Sequence, residues 1–138
     1  MDEYPELLHT VLDCTEVREL AEFYRELLGL RYRAGDEPPT NKTPDDADWL
    51  VLEDSKGASK LAFQQVDDLP HATWPEPPGV PQQLHLDFTV RSRAELEQQC
   101  KRALALGAVM LLDRTDDPDE PLYVFADFAG HPFCIFVA

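Results

Sequence analysis

A chain of 138 residues with 43% hydrophobic side chains is long enough to bury one sound core and too ordinary in composition for wholesale disorder. Its 12 basic and 27 acidic side chains give a net charge of −15, which excludes a nucleic-acid partner, because neutralising phosphates takes a basic face. No apolar run approaches the roughly 20 residues of a membrane span, and Met1, Asp2, Glu3, Tyr4 and Pro5 form no basic n-region, so a cytoplasmic protein with no membrane partner is expected.

Three cysteines, Cys14, Cys100 and Cys134, are an odd number without metal-finger spacing. Free thiols in a reducing compartment fit that pattern better than a disulfide framework. The acidic residues are dispersed except in 45–48 and 113–120, both of which read as loops.

Residues 7–14 predict a first strand, with His9 among alternating apolar positions. Thr15 offers an N-cap, and Val17, Leu20, Ala21, Tyr24, Leu27 and Leu28 recur at helical spacing until Gly29. A short strand over 30–33, a polar loop over 35–48 and two strands at 49–53 and 61–66 complete a first half. Residues 67–82 are rich in Asp and Pro, which makes an extended, stiff connection rather than a hinge.

The second half repeats the order. Leu84, Leu86, Phe88 and Val90 alternate with His85, Asp87 and Thr89, which predicts a strand buried on one face. Ser92 and Glu95 form a capping box for a helix with Leu96, Cys100, Ala103 and Leu104 inward, ending at Gly107. Strands over 108–112, 122–126 and 132–137 follow, with a turn at 127–130 before the last. His9 and His85 stand 76 residues apart, close to half the chain, as an internal duplication would place them.

Three stretches in this order are similar to a known family. His9-Thr10-Val11-Leu12 with Leu20-Ala21-Glu22-Phe23-Tyr24-Arg25-Glu26-Leu27-Leu28-Gly29-Leu30 resembles the opening of the glyoxalase/bleomycin-resistance/dioxygenase superfamily, also called vicinal oxygen chelate proteins. His85 before a helix ending Leu106-Gly107-Ala108, and the ending Asp127-Phe128-Ala129-Gly130-His131-Pro132-Phe133, resemble its second half and final turn. The resemblance implies an α+β fold: two βαβββ modules forming a curved mixed sheet around a cup-shaped pocket. It also implies one domain over 1–138, with module one at about 6–67, a crossing segment at about 68–82 and module two at about 83–138. A homodimer and a small organic molecule as ligand are implied in the same way.

In metal-dependent members of that superfamily, the first and last strands of each module each supply a ligand. Carried over by position, the set is His9, Gln64, His85 and Cys134. Glyoxalase I chemistry needs a carboxylate to move a proton, and Gln64 and Cys134 stand where carboxylates would be expected, so that activity is disfavoured. An extradiol dioxygenase needs two histidines and a carboxylate around iron. Asp87, on the face of His85, would reach along the strand in the wrong direction. A divalent metal such as zinc or iron on His9, His85 and Cys134, with Gln64 a weak fourth ligand, remains sensible chemistry. The preferred alternative leaves the site metal-free, with both histidines as hydrogen-bonded pocket linings.

His9 and His85 are the candidate catalytic residues, and Trp49, Gln64, Trp74, Asp87, Cys134 and Phe136 the candidate ligand contacts. Phe63 and Phe125 are further candidate aromatic walls. Cys134 reads either as a nucleophile whose pKa a neighbouring histidine lowers, or as a small buried hydrophobe, the second being preferred. His71 and His131 fall in loop or turn contexts. Two functions follow: lyase, isomerase or oxygenase chemistry at the histidines, or sequestration of a drug or natural product without conversion.

Overall fold

The computed structural model describes residues 4–138. The chain forms two compact units that divide between Leu69 and Pro70. The hydrogen bonding makes two four-stranded mixed sheets, one in each unit, and each sheet carries one long helix. This is the α+β, twice-βαβββ arrangement expected from the sequence.

Module one comprises β1 (Thr10–Cys14), α1 (Val17–Leu28), β2 (Arg31–Tyr32), β3 (Trp49–Glu53) and β4 (Ser59–Gln65). The strand order is β1-β4-β3-β2, with β1 parallel to β4 and the other pairs antiparallel. Leu12, Cys14, Leu50, Leu52, Leu61 and Phe63 are buried on one sheet face, against the buried stripe Val17, Leu20, Ala21, Tyr24 and Leu27 of α1. Phe63 stacks on Tyr24 with centroids 6.0 Å apart, which makes it core and corrects its expected place as a pocket wall.

The start of α1 differs from expectation. The N-cap is Glu16, not Thr15, and its side chain makes no capping bond. The backbone N–H of Val17 donates instead to Oε1 of Gln65 at 3.0 Å, while Nε2 of Gln65 donates to the carbonyl of Thr15. A residue 48 positions away therefore satisfies one of the helix's orphan donors. Gly29 closes the helix in the left-handed conformation, as its position predicts.

Module two comprises β5 (Leu86–Val90), α2 (Arg93–Ala105), β6 (Val109–Arg114), β7 (Leu122–Ala126) and β8 (Pro132–Val137). The order β5-β8-β7-β6, with β5 parallel to β8, repeats the topology of module one. Ser92 caps α2 by accepting from the N–H of Glu95 at 3.1 Å. Glu95 reaches back one residue further than a capping box requires, accepting from the N–H of Arg91 at 2.8 Å. Leu96, Cys100 and Ala103 are buried under α2, but Leu104 is 43% exposed. One residue past Ala103 is about 100° further round the helix, which turns Leu104 off the inward stripe.

Phe125 and Phe133 stack at 5.1 Å and are fully buried, so Phe125 is also core rather than wall. The segment after Pro70 belongs to the second unit and is more than a connection. Thr73 and Val80 clasp it through Thr73 N–H to Val80 C=O at 2.7 Å and Val80 N–H to Thr73 Oγ1 at 2.8 Å. The turn at 127–130 is held by buried Asp127, whose Oδ1 accepts from the N–H groups of Ala129 and His131. No helix among the described residues is long and apolar enough to cross a membrane.

Candidate functional site

The strand register of module two decides which side chains share the sheet face opposite the core. Asp87 on β5 lies beside Cys134 on β8, then Val124 on β7 and Leu112 on β6. The neighbouring row is Thr89, Phe136, Leu122 and Arg114. Leu122, Val124 and Cys134 form a buried apolar floor, with Trp74, Leu111, Leu112 and Phe136 packed against it.

His85 precedes β5, so its backbone is not tied into the sheet ladder. Its ring stacks on Trp74, with centroids 5.1 Å apart and planes 13° from parallel. Nε2 lies 3.3 Å from Oδ1 of Asp87, and Nδ1 lies 3.1 Å from Oε1 of Gln82. Ligating atoms of His85, Asp87 and Cys134 all fall within 4.8 Å of one another. The structure thus brings five expected site residues together in one module: Trp74, His85, Asp87, Cys134 and Phe136. The expected direction of Asp87 is corrected, because its carboxylate and the imidazole do meet. Gln82 was not anticipated, and its three-residue spacing to His85 in a polar loop gave no signal.

Burial, and then the Asp87 carboxylate beside it, push the Cys134 thiol up to about 11. The thiol donates to Asp87 and stays protonated at neutral pH. This overturns the nucleophile reading, which needed the pKa lowered. The small buried hydrophobe was nearer the truth, though it has a polar neighbour.

In module one, Trp49, Gln64 and Asp13 lie side by side across β3, β4 and β1, on the face away from α1. His9 lies just before β1, 6.1 Å from Trp49 between ring centroids, and its Nδ1 is 2.6 Å from Oγ of Ser59. Ser59 reaches that face because β4 bulges. Leu52 pairs with Leu61 while Glu53 pairs with Ser59, so Lys60 is the extra residue. The expected linings Trp49 and Gln64 therefore share a face, with His9 hydrogen-bonded to a serine that strict alternation would have sent to the core. A cavity of about 320 Å³ lined by Glu22, Arg25, Leu30, Arg31, Tyr32 and Pro38 contains none of the expected site residues.

Donor chemistry separates the two modules. Gln64 is neutral, and the nearest partner of His9 is a hydroxyl. Module two offers imidazole, carboxylate and sulfur together, a set that suits a borderline-soft divalent metal.

Comparison with known proteins agrees with this architecture. A glyoxalase-like domain model matches residues 9–136. The chain therefore belongs to the glyoxalase-like domain family. Comparison with curated protein sequences gives no significant match. Among solved structures, the fold is similar to a fosfomycin resistance protein, FosX, from Listeria monocytogenes, in a complex with Mn(II) and sulfate. The TM-score is 0.66 at 18% identity, covering 98% of this chain and 93% of that one. It is also similar to a glyoxalase/bleomycin resistance protein/dioxygenase family enzyme from Burkholderia phytofirmans PsJN, with TM-score 0.67, 15% identity, and 96% and 98% coverage. A third is an integron cassette protein from the Halifax Harbour sewage outfall metagenome, with TM-score 0.60, 20% identity, and 98% and 100% coverage.

Proposed function

We propose that this protein binds a small organic molecule on the open face of module two and holds it without converting it. The observation that carries this reading is the stack of Trp74 on His85 beside the apolar floor of Leu122, Val124 and Cys134. Sites for flat organic ligands have this composition, mostly apolar with a few polar anchors at one end. Here the indole is the wall, and the His85–Asp87 pair is the polar end. Groups for turnover are less well supplied. Both ring nitrogens of His85 already face partners, and Cys134 holds its proton.

The test is a thermal-shift screen of planar natural products and drugs, with each hit incubated and weighed by mass spectrometry. A ligand at 100 times its dissociation constant stabilises by roughly 2.7 kcal/mol, a shift of several degrees in a protein of this size. The expected result is a hit that leaves with unchanged mass and whose shift is lost in Trp74→Ala. A hit converted by the wild type but not by His85→Ala would replace this reading with an isomerase, lyase or oxygenase one. No hit at all would remove its support.

We also propose that two copies associate. Leu7, Leu8 and Val11, on and before the edge strand β1, are 91%, 68% and 37% exposed, an apolar strip that a second chain would cover. Light scattering should give a dimer mass, and Leu8→Asp a monomer; a monomeric wild type refutes the proposal.

A further inference from the structure

The cavity beside the C-terminal half of α1 is lined by residues that the sites around Trp49 and His85 do not use. We infer that it is a second binding site, for a small organic carboxylate. The apolar body of that ligand lies on Leu30, Tyr32 and Pro38, and its charged end meets Arg25 and Arg31. This site lies wholly within module one and is independent of the binding face of module two.

The strand register separates this cavity from the expected site residues of its own module. Tyr32 on β2 pairs with Leu52 on β3, and Leu52 is buried on the sheet face that α1 covers. Tyr32 therefore faces the helix, while Trp49 and Gln64 take the opposite face. A volume of about 320 Å³ stands at the lower end of the range for ligand sites, roughly 300–1,000 Å³, and holds one small molecule.

Glu22 is already engaged, and that decides which charge the cavity offers. Its carboxylate accepts from Nε of Arg25 at 2.6 Å, from Nη2 of Arg25 at 3.1 Å and from the Tyr32 hydroxyl at 2.7 Å. The Arg25 guanidinium holds this carboxyl below its ordinary range, so it stays an anion. Burial pushes the Tyr32 phenol up to about 12, so it stays a donor. One edge of the Arg25 fork is thus spent. Nη2 also lies 3.4 Å from Glu26, but no acceptor among the described residues reaches Nη1. The guanidinium of Arg31 has Glu53 at 3.7 Å, beyond hydrogen-bond reach. What remains for a ligand is a set of N–H donors on two cations, and a planar carboxylate matches such forks with paired hydrogen bonds.

The walls are fixed before a ligand arrives. The guanidinium of Arg18 lies over the Tyr32 ring, 5.0 Å from its centroid. Arg18 is itself held by Oδ2 of Asp45 and by the carbonyl of Asp36, each at 2.7 Å. The Tyr32 ring and hydroxyl are both anchored, so binding costs little of its freedom. The ligand needs an apolar body as well as a charge. A chain of net charge −15 repels free inorganic anions, whereas burying a ring against Leu30, Tyr32 and Pro38 is favourable whatever that charge.

The experiment titrates the full chain with 4-fluorobenzoate, followed by fluorine NMR at physiological ionic strength. The expected result is saturable binding that benzoate displaces and inorganic phosphate does not. The uncharged 4-fluorobenzyl alcohol should bind at least about tenfold more weakly. Arg31→Gln, at a side chain 59% exposed where folding is least at risk, should weaken binding about 10–100-fold. Arg25→Gln should weaken it as well. Arg33→Gln, a neighbouring arginine that does not line the cavity, should change it less than about twofold, because salt screens an exposed charge. No saturable binding, binding unchanged in Arg31→Gln, or displacement by phosphate as strong as by benzoate overturns the proposal. A signal lost in Trp74→Ala but kept in Arg31→Gln places the probe on module two and overturns it too.

Discussion

Asp87→Asn probes the electrostatics of the site most directly, through the Cys134 thiol. In the metal-free protein this thiol is held at about 11 by burial first and by the Asp87 carboxylate second. At pH 8 that leaves about one molecule in a thousand as thiolate, against roughly one in four for an unperturbed thiol. Replacing Asp87 with Asn removes the charge and the strong acceptor but leaves the burial. The pKa should fall, yet remain above that of an exposed cysteine. Cβ-labelled cysteine followed by NMR across pH separates Cys134 from the buried Cys14 and Cys100. Stability carries the same signature. The folded state keeps the Cys134 proton to higher pH than the unfolded chain does, so this contribution is full below about pH 9 and is lost as pH rises towards 11. The loss is on the order of 2–3 kcal/mol at most. Urea unfolding at pH 8 and at pH 10.5, with Cys134→Ser as the flatter reference, would measure it. Cys134 titrating at or below 9, or unmoved by Asp87→Asn, refutes the reasoning.

Three other substitutions test the framework around the site. Gln65→Ala removes the acceptor for the Val17 N–H and the donor to the Thr15 carbonyl, and should cost about 1–2 kcal/mol in urea unfolding. Ser92→Ala, which loses the cap on Glu95, should cost about 1 kcal/mol by the same measurement. Gly130→Ala should destabilise by more than about 1 kcal/mol, since φ there is +85° and an added Cβ would sit 2.5 Å from Cγ of His71. Adding His71→Ala should recover only part of that loss, because the His71 Cα is itself 2.8 Å from the same point.

The strands at 49–53, 122–126 and 132–137 could be read from the sequence to the residue, because apolar runs bounded by turn residues leave little freedom. The helices were legible as stripes, but not at their edges. Thr15 has the right chemistry for a cap, yet the donor was met from Gln65, a tertiary contact that no local pattern encodes. The site was legible in its members more than in its geometry. Parity placed Asp87 and Cys134 on one face. It placed His85 there as well, and only the reach of Asp87 was misread, because a histidine just outside the ladder is not bound to the pleat and can turn its ring onto that carboxylate. Alternation likewise hid Ser59, since a single bulged residue reverses every facing beyond it. Phe63 and Phe125 were misjudged because aromatic character says nothing about which face a strand residue takes.

The amide of Gln65 also has a consequence for the order in which module one is made. Residue 65 ends β4, the last strand of its module, while the groups it joins lie at 15 and 17. A chain growing from its N-terminus can wind α1 early, but the first turn stays frayed until β4 has emerged and paired beside β1. Hydrogen exchange at Val17 should therefore report docking of β4 rather than helix formation. The earliest amide of α1 to be synthesised would be among the last in its module to be protected.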